Sequence, residues 1–209
     1  MVEAAVSTGV SKKIKMTWVY FIYYWLIFGV GAFFGQFLPA EYRPTVHMVL
    51  FGIVMVSFFV RISKTFSLVI SHLYALLLGV LSYTTFTMYM HNLGESLFYK
   101  NIGVAIATFI VAGIIGYFII DDAAGWGKYL FVGLIALIFG SLVGFFIQIP
   151  YFYLALNIFA LFLYILYTMY DFNRIKHNRY SPREMGFNLF VNLVMIIKRV
   201  LYFANKFKR

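Results

Sequence analysis

Runs of about 20 apolar residues recur along this chain from end to end, and nothing constrains its fold more. Such a run matches the ~30 Å of hydrocarbon that a helix must cross. Lipid offers no water to backbone N–H and C=O groups, so each run must satisfy them within itself as a helix or join a closed barrel. A barrel would alternate polar and apolar residues in segments of ~10, and no such alternation occurs. Charge is scarce to match. Asp, Glu, Lys and Arg make up 11% of the 209 residues, about half the share in a soluble domain. The expected fold is all-α, a polytopic membrane bundle with no separate soluble module.

Seven segments are expected. A polar leader, residues 1–16, carries Lys12, Lys13 and Lys15; a transmembrane domain over 17–204 and a basic tail over 205–209 follow. The first segment runs from about Thr17 to Leu38 and stops at Pro39, with Gly29, Gly31 and Gly35 letting a neighbouring helix approach closely. The next five cover about Thr45–Val60, Phe66–Met90, Ile102–Ile120, Tyr129–Ile149 and Tyr151–Tyr170, with Gln148 and Pro150 forming a very tight link before the sixth. The seventh, Met185–Ile197, has only 13 apolar residues before Lys198 and Arg199, and Pro182 is placed to start its helix. A segment that short is poorly suited to facing lipid. A central position, wrapped by segments one to six, suits it. Because Met1–Lys15 is polar and the first apolar run is of full spanning length, no cleavable leader is expected.

Ten bases fall in the leader and in the connections after segments two, four and six: Lys12, Lys13, Lys15, Arg61, Lys64, Lys128, Arg174, Lys176, Arg179 and Arg183. The opposite connections hold only Arg43 and Lys100. That bias places the N terminus in the cytoplasm. It also accounts for the net charge of +10 without a nucleic-acid partner. The side of the C terminus stays open, because seven full crossings would put Lys198, Arg199, Lys206, Lys208 and Arg209 outside.

Acids are rarer still, seven in all, so their positions carry information. Segment six closes on Asp171, segment seven opens near Glu184, and Arg61 ends segment two. Topology sets these three at one end of the bundle and at similar depth. The cluster could work as a proton-dependent latch between helices. The plainer alternative is a static salt bridge from Asp171 to Arg61, or to Arg174, its i+3 neighbour. Glu184, Asn188 and Asn192 follow at i, i+4 and i+8 and so share one face, which Arg199, seven residues on, roughly continues. Such a face suits a bundle interior, as interhelical hydrogen-bond glue or as the lining of a pore.

The remaining polar residues point to little chemistry. Asp121 and Asp122 precede Ala123, Ala124 and Gly125 and read as a solvated turn. His47 and His72 are isolated core or interface histidines, and His91 and His177 sit at helix ends. A hard divalent cation prefers six to eight oxygen ligands, so Asp171 can offer only a weak, transient metal contact. Cys is absent, and no Ser/His/Asp set, His-Glu-x-x-His helix or phosphate-binding glycine loop occurs. Neither an enzyme nor a resident cofactor is expected.

Four stretches occur in order: GAFFGQFLP at 31–39, Arg61 after segment two, LYILYTMYDFNRIKH at 163–177 and, more weakly, NLFVNLVMIIKR at 188–199. In these residues, and in hydropathy along nearly the whole chain, the sequence resembles the transmembrane Bax inhibitor motif family, its small bacterial calcium-leak members most closely. The resemblance implies seven helices with the last wrapped by the other six. It also implies a bacterial inner-membrane location and a pH-sensitive leak with calcium as the permeant ion. Family gating uses an acid at the end of helix six, an acid within helix seven and an arginine latch at the end of helix two. Asp171 and Arg61 match. The helix-seven acid does not: Asn188 or Leu189 stands there. Two carboxylates sharing a proton titrate closer to neutrality than one alone. A weakened or shifted pH response is therefore expected, with Glu184 the only stand-in. Some bacterial relatives are thought to bind a membrane quality-control protease, so a non-transporting regulator is the alternative. Under either reading the chain's first partner is the lipid bilayer.

Overall fold

The computed structural model describes residues 2–46, 48, 49, 52, 64–146 and 149–208, and among them every regular element is helical. Helix α1 spans Val2–Gly35, and a 3-10 turn follows at Ala40–Tyr42. Helix α2 is described at 43–46, 48, 49 and 52. Then come α3 (Lys64–Leu93), α4 (Glu95–Ile114, running on as a π-turn over Ile115–Ile119), α5 (Trp126–Phe146), α6 (Pro150–Lys176) and α7 (Pro182–Phe207). Among the described residues, six helices are long and apolar enough to cross a membrane, the last of them Pro182–Phe207.

Helix continues through polar residues wherever backbone geometry allows, and this moves five boundaries from the hydropathy reading. The leader is helical and continuous with α1. Residues 91–101, read as a connection, are instead two helix ends joined at Gly94. Gly94 has φ 79° and ψ 155°, a region essentially closed to residues with a Cβ. Helix α6 runs past Asp171 to Lys176, so Asp171 lies inside the helix and does not close it. Helix α7 is 26 residues long, twice its apolar run, because Lys198 and Arg199 extend it. The seventh helix is therefore not short. Pro150 and Pro182 each open their helix, where a missing N–H costs nothing. Gln148 of the expected tight link lies outside the described residues.

Helix α7 is the most buried of the spans. It packs against α1, α3, α4 and α6, while α5 leans chiefly on α6. Met185, Leu189, Phe190, Val194, Ile196 and Leu201 of α7 are all fully buried. Helices α1 and α3 approach backbone to backbone. A Cβ on Gly31 would overlap the Leu76 carbonyl, and one on Gly79 the Phe28 carbonyl. Gly35 meets Val80 and Tyr83 in the same way, but Gly29 faces open space and takes no part in the contact.

The two ends of α7 touch opposite ends of the bundle. At one end the leader's Lys13 Nζ donates to Asn178 Oδ1 (3.1 Å) in the α6–α7 connection. At the other, Lys208 Nζ donates to the carbonyls of Asn92 (2.7 Å) and Leu93 (2.9 Å), the last turn of α3. The α7 C terminus thus lies at the opposite end of the bundle from the leader and the α6–α7 connection.

Candidate functional site

A carboxylate inside a spanning helix has to be compensated by its neighbours. Asp171 is 2% exposed, and α6 and α7 supply its compensation between them. Asn192 Nδ2 donates to Asp171 Oδ2 at 2.9 Å, and the Asn188 side chain makes a further hydrogen bond to the carboxylate. Arg174 Nη1 lies 3.6 Å from Asp171 Oδ1 one helical turn on. The polar stripe of α7 therefore faces the α6 acid. Asn192 is itself buried, and Asn188 is half-buried.

Arg174 has a second acid in reach: its Nη2 lies 3.4 Å from Glu184 Oε1. Its Nε donates to the Arg179 carbonyl at 3.2 Å, and its guanidinium sits 5.6 Å from the Tyr170 ring centroid. So the cation is braced on four sides. Glu184 is 59% exposed while Asp171 is buried. The chain Glu184–Arg174–Asp171 thus leads from solvent to a carboxylate inside the bundle. The exposed half of it contributes little stability, as surface ion pairs do. What it provides is a path by which a change of charge outside is felt inside.

The sequence reading brought Arg61 to Asp171, and Arg61 lies outside the described residues. Among those described, the guanidinium on Asp171 is that of Arg174, which the sequence reading named only as the static alternative. Glu184 reaches Asp171 through Arg174 with no direct contact between them. His47 also lies outside the described residues. His72 is an interface residue, its Nε2 2.9 Å from the Tyr23 hydroxyl and its Nδ1 2.6 Å from the Leu68 carbonyl.

Asn173, which sequence reasoning passed over, organises the floor of the site. It is 2% exposed. Its Nδ2 donates to the carbonyls of Gly116 (3.2 Å) and Ile120 (2.8 Å), and its Oδ1 accepts from the Ala123 N–H (2.9 Å). The π-turn after α4 shifts the backbone hydrogen bonds by one residue, as Ile120 N–H to Ile115 O records, and π-turns often mark functional sites. The Asn173 amide takes up carbonyls at that irregularity. Around it, Lys176 Nζ donates to the Ile120 carbonyl (3.1 Å) and His177 Nε2 lies 2.7 Å from the Asp121 carbonyl. Arg179 Nη1 holds both oxygens of Asp122 (3.1 and 3.2 Å). Asp122 also accepts the Ala124 N–H, and this bond first, then Arg179, holds its carboxyl below the usual range. The α4–α5 connection is thus the solvated turn expected of Asp121 and Asp122, tied down by the C-terminal turns of α6. An amide buried in an apolar helix was the signal available for Asn173, the same one that singled out Asn188 and Asn192.

A polar seam therefore joins the two helices that close the chain, with a buried acid at the end where the leader and the α4–α5 and α6–α7 connections gather. A family model described as inhibitor of apoptosis-promoting Bax1 matches residues 10–209. Its reach over nearly the whole chain shows that this multi-pass membrane protein belongs to the Bax inhibitor motif family.

Proposed function

We propose that this protein is a calcium-permeable leak channel of a bacterial inner membrane, its N terminus cytoplasmic, modulated by proton binding at the α6–α7 seam. One observation carries the reading: a carboxylate at 2% exposure inside a spanning helix, connected through Arg174 to the exposed Glu184. Protonating Asp171 would remove its attraction to Arg174 and weaken the charge-assisted hydrogen bonds from Asn192 and Asn188. That loosens the tie between α6 and α7, and Glu184 sets how strongly Arg174 is drawn away. Calcium would touch Asp171 weakly and in passing, with Asn188 and Asn192 lining the path. Arg61 would join the latch from helix two. We propose no catalysis and no resident cofactor.

The test is calcium efflux from loaded proteoliposomes against pH for wild type, Asp171→Asn and Glu184→Gln. Displaced curves for both variants support the reading; three coincident curves exclude gating by either acid. A second reading, a non-transporting regulator of a membrane protease, is favoured by one feature. Both Asp171 oxygens are already engaged within α6 and α7, as a fixed clamp would require. Silent liposomes together with co-purification of a membrane protease would establish it.

A further inference from the structure

The α6–α7 seam has a second polar end. Arg199 lies on the Asn192 face of α7, two turns or ~10 Å further on, well away from Asp171. Its Nη1 donates to Asn157 Oδ1 of α6 at 2.6 Å. Asn157 is 7% exposed, and its own Nδ2 is spent on the Tyr153 carbonyl (2.7 Å). The Arg199 Nε is buried with no hydrogen-bond partner. Among the described residues, no carboxylate pairs with Arg199: the three ion pairs all lie at the opposite end, on Arg174 and Arg179. Between the two ends the seam is closely packed. Ile196 and Thr168 are fully buried, and the Thr168 hydroxyl turns back to the Tyr164 carbonyl (2.8 Å).

The two ends thus differ: at one a buried acid is paired with Arg174 and an amide, and at the other a cation has an amide and, among the described residues, no carboxylate. A metal ion drawn in at Asp171 and moving along α7 meets a fixed positive charge, tied to the facing helix, before it can leave. In a water-poor site such repulsion is strong and doubles for a doubly charged ion. We propose that Arg199, held by Asn157, is the outer barrier of this path and restricts divalent cations by charge. The inference rests on the leak reading and adds to it a specificity-determining residue distant from the proton-binding end.

The test compares calcium and potassium efflux from proteoliposomes at fixed pH for wild type, Arg199→Gln, Arg199→Lys, Asn157→Leu and Asp171→Asn. Arg199→Gln should raise calcium efflux by about ten-fold or more and potassium efflux less, since the repulsion scales with valence. Arg199→Lys, which keeps the charge, should leak less calcium than Arg199→Gln. Asn157→Leu frees the guanidinium and should give an intermediate rise, which also serves as the readout if Arg199→Gln does not purify monodisperse. Calcium efflux through Arg199→Gln equal to wild type, while Asp171→Asn still changes calcium efflux, overturns the barrier and leaves the leak reading standing. Equal rises for both ions overturn the charge mechanism. Silence in every protein removes the leak reading and the barrier with it.

Discussion

Two glycines two residues apart in α1 should respond to the same substitution with opposite sign. A Cβ on Gly31 would sit 3.0 Å from the Leu76 carbonyl carbon and 3.2 Å from its Cα, with the carbonyl oxygen closer still, where ordinary contact is 3.4–4 Å. These are backbone atoms, so no rotamer change relieves the overlap, and α1 and α3 must separate by on the order of 1 Å. A gap of that size forfeits a quarter to a half of each pair's dispersion well. The contacts at stake include Tyr24, Phe28, Ala75 and Leu78, all buried. Overpacking of a tight core costs about 1–3 kcal/mol, offset by about 1 kcal/mol because alanine is the better helix former. Gly31→Ala should therefore lose up to about 2 kcal/mol, or as much as roughly 8 °C in unfolding midpoint for a chain of this size. Gly29 has nothing within 4 Å, so Gly29→Ala keeps only the helix gain and should hold or raise the midpoint. Tryptophan-fluorescence melts in detergent compare the two directly. Equal shifts for both variants would refute the close backbone approach of α1 and α3.

Three other outcomes are expected. In a double-mutant cycle on Asp171→Asn and Asn192→Leu, the coupling should be about 1.5–3 kcal/mol, as for a hydrogen bond to a buried charge; independent effects would show that the pair is not in contact. Asn173→Leu leaves the carbonyls of Gly116 and Ile120 and the Ala123 N–H without their partner, so hydrogen exchange should quicken across 116–124 while α1 and α3 stay protected. Asp122 has its carboxyl held below the usual 3.8. Whatever order it lends the α4–α5 turn is present above that value and lost as pH falls through the lower native one. The protection factor at Ala124, its exchange rate relative to the intrinsic rate at each pH, should therefore fall in acid in wild type and be low throughout the neutral range in Asp122→Ala.

Much of this could be read from residue order. Apolar length located the spans, Pro182 marked a helix start, and the i, i+4, i+8 stripe of Glu184, Asn188 and Asn192 identified the face of α7 that meets the α6 acid. Hydropathy failed where polar residues stay helical. It stopped α6 at Asp171 and halved α7, because it measures preference for lipid and not the backbone hydrogen bonding that carries a helix into water. Gly29 was grouped with Gly31 and Gly35 because spacing cannot say which side of a helix a neighbour will take.

Composition alone, then, determined that the chain forms spanning helices. A backbone in hydrocarbon has no other way to satisfy its polar groups, and that requirement is local to each segment. Which charge meets which acid was decided only by the packing of α7 between α1, α3, α4 and α6. The seam sets Arg174 between a buried and an exposed carboxylate and ties Arg199 to Asn157 at its other end. The i, i+3 pair of Asp171 and Arg174 was legible in the order of residues, but the pairings of Arg174 with Glu184 and of Arg199 with Asn157 join residues 10 and 42 positions apart, and no pattern in that order encodes them.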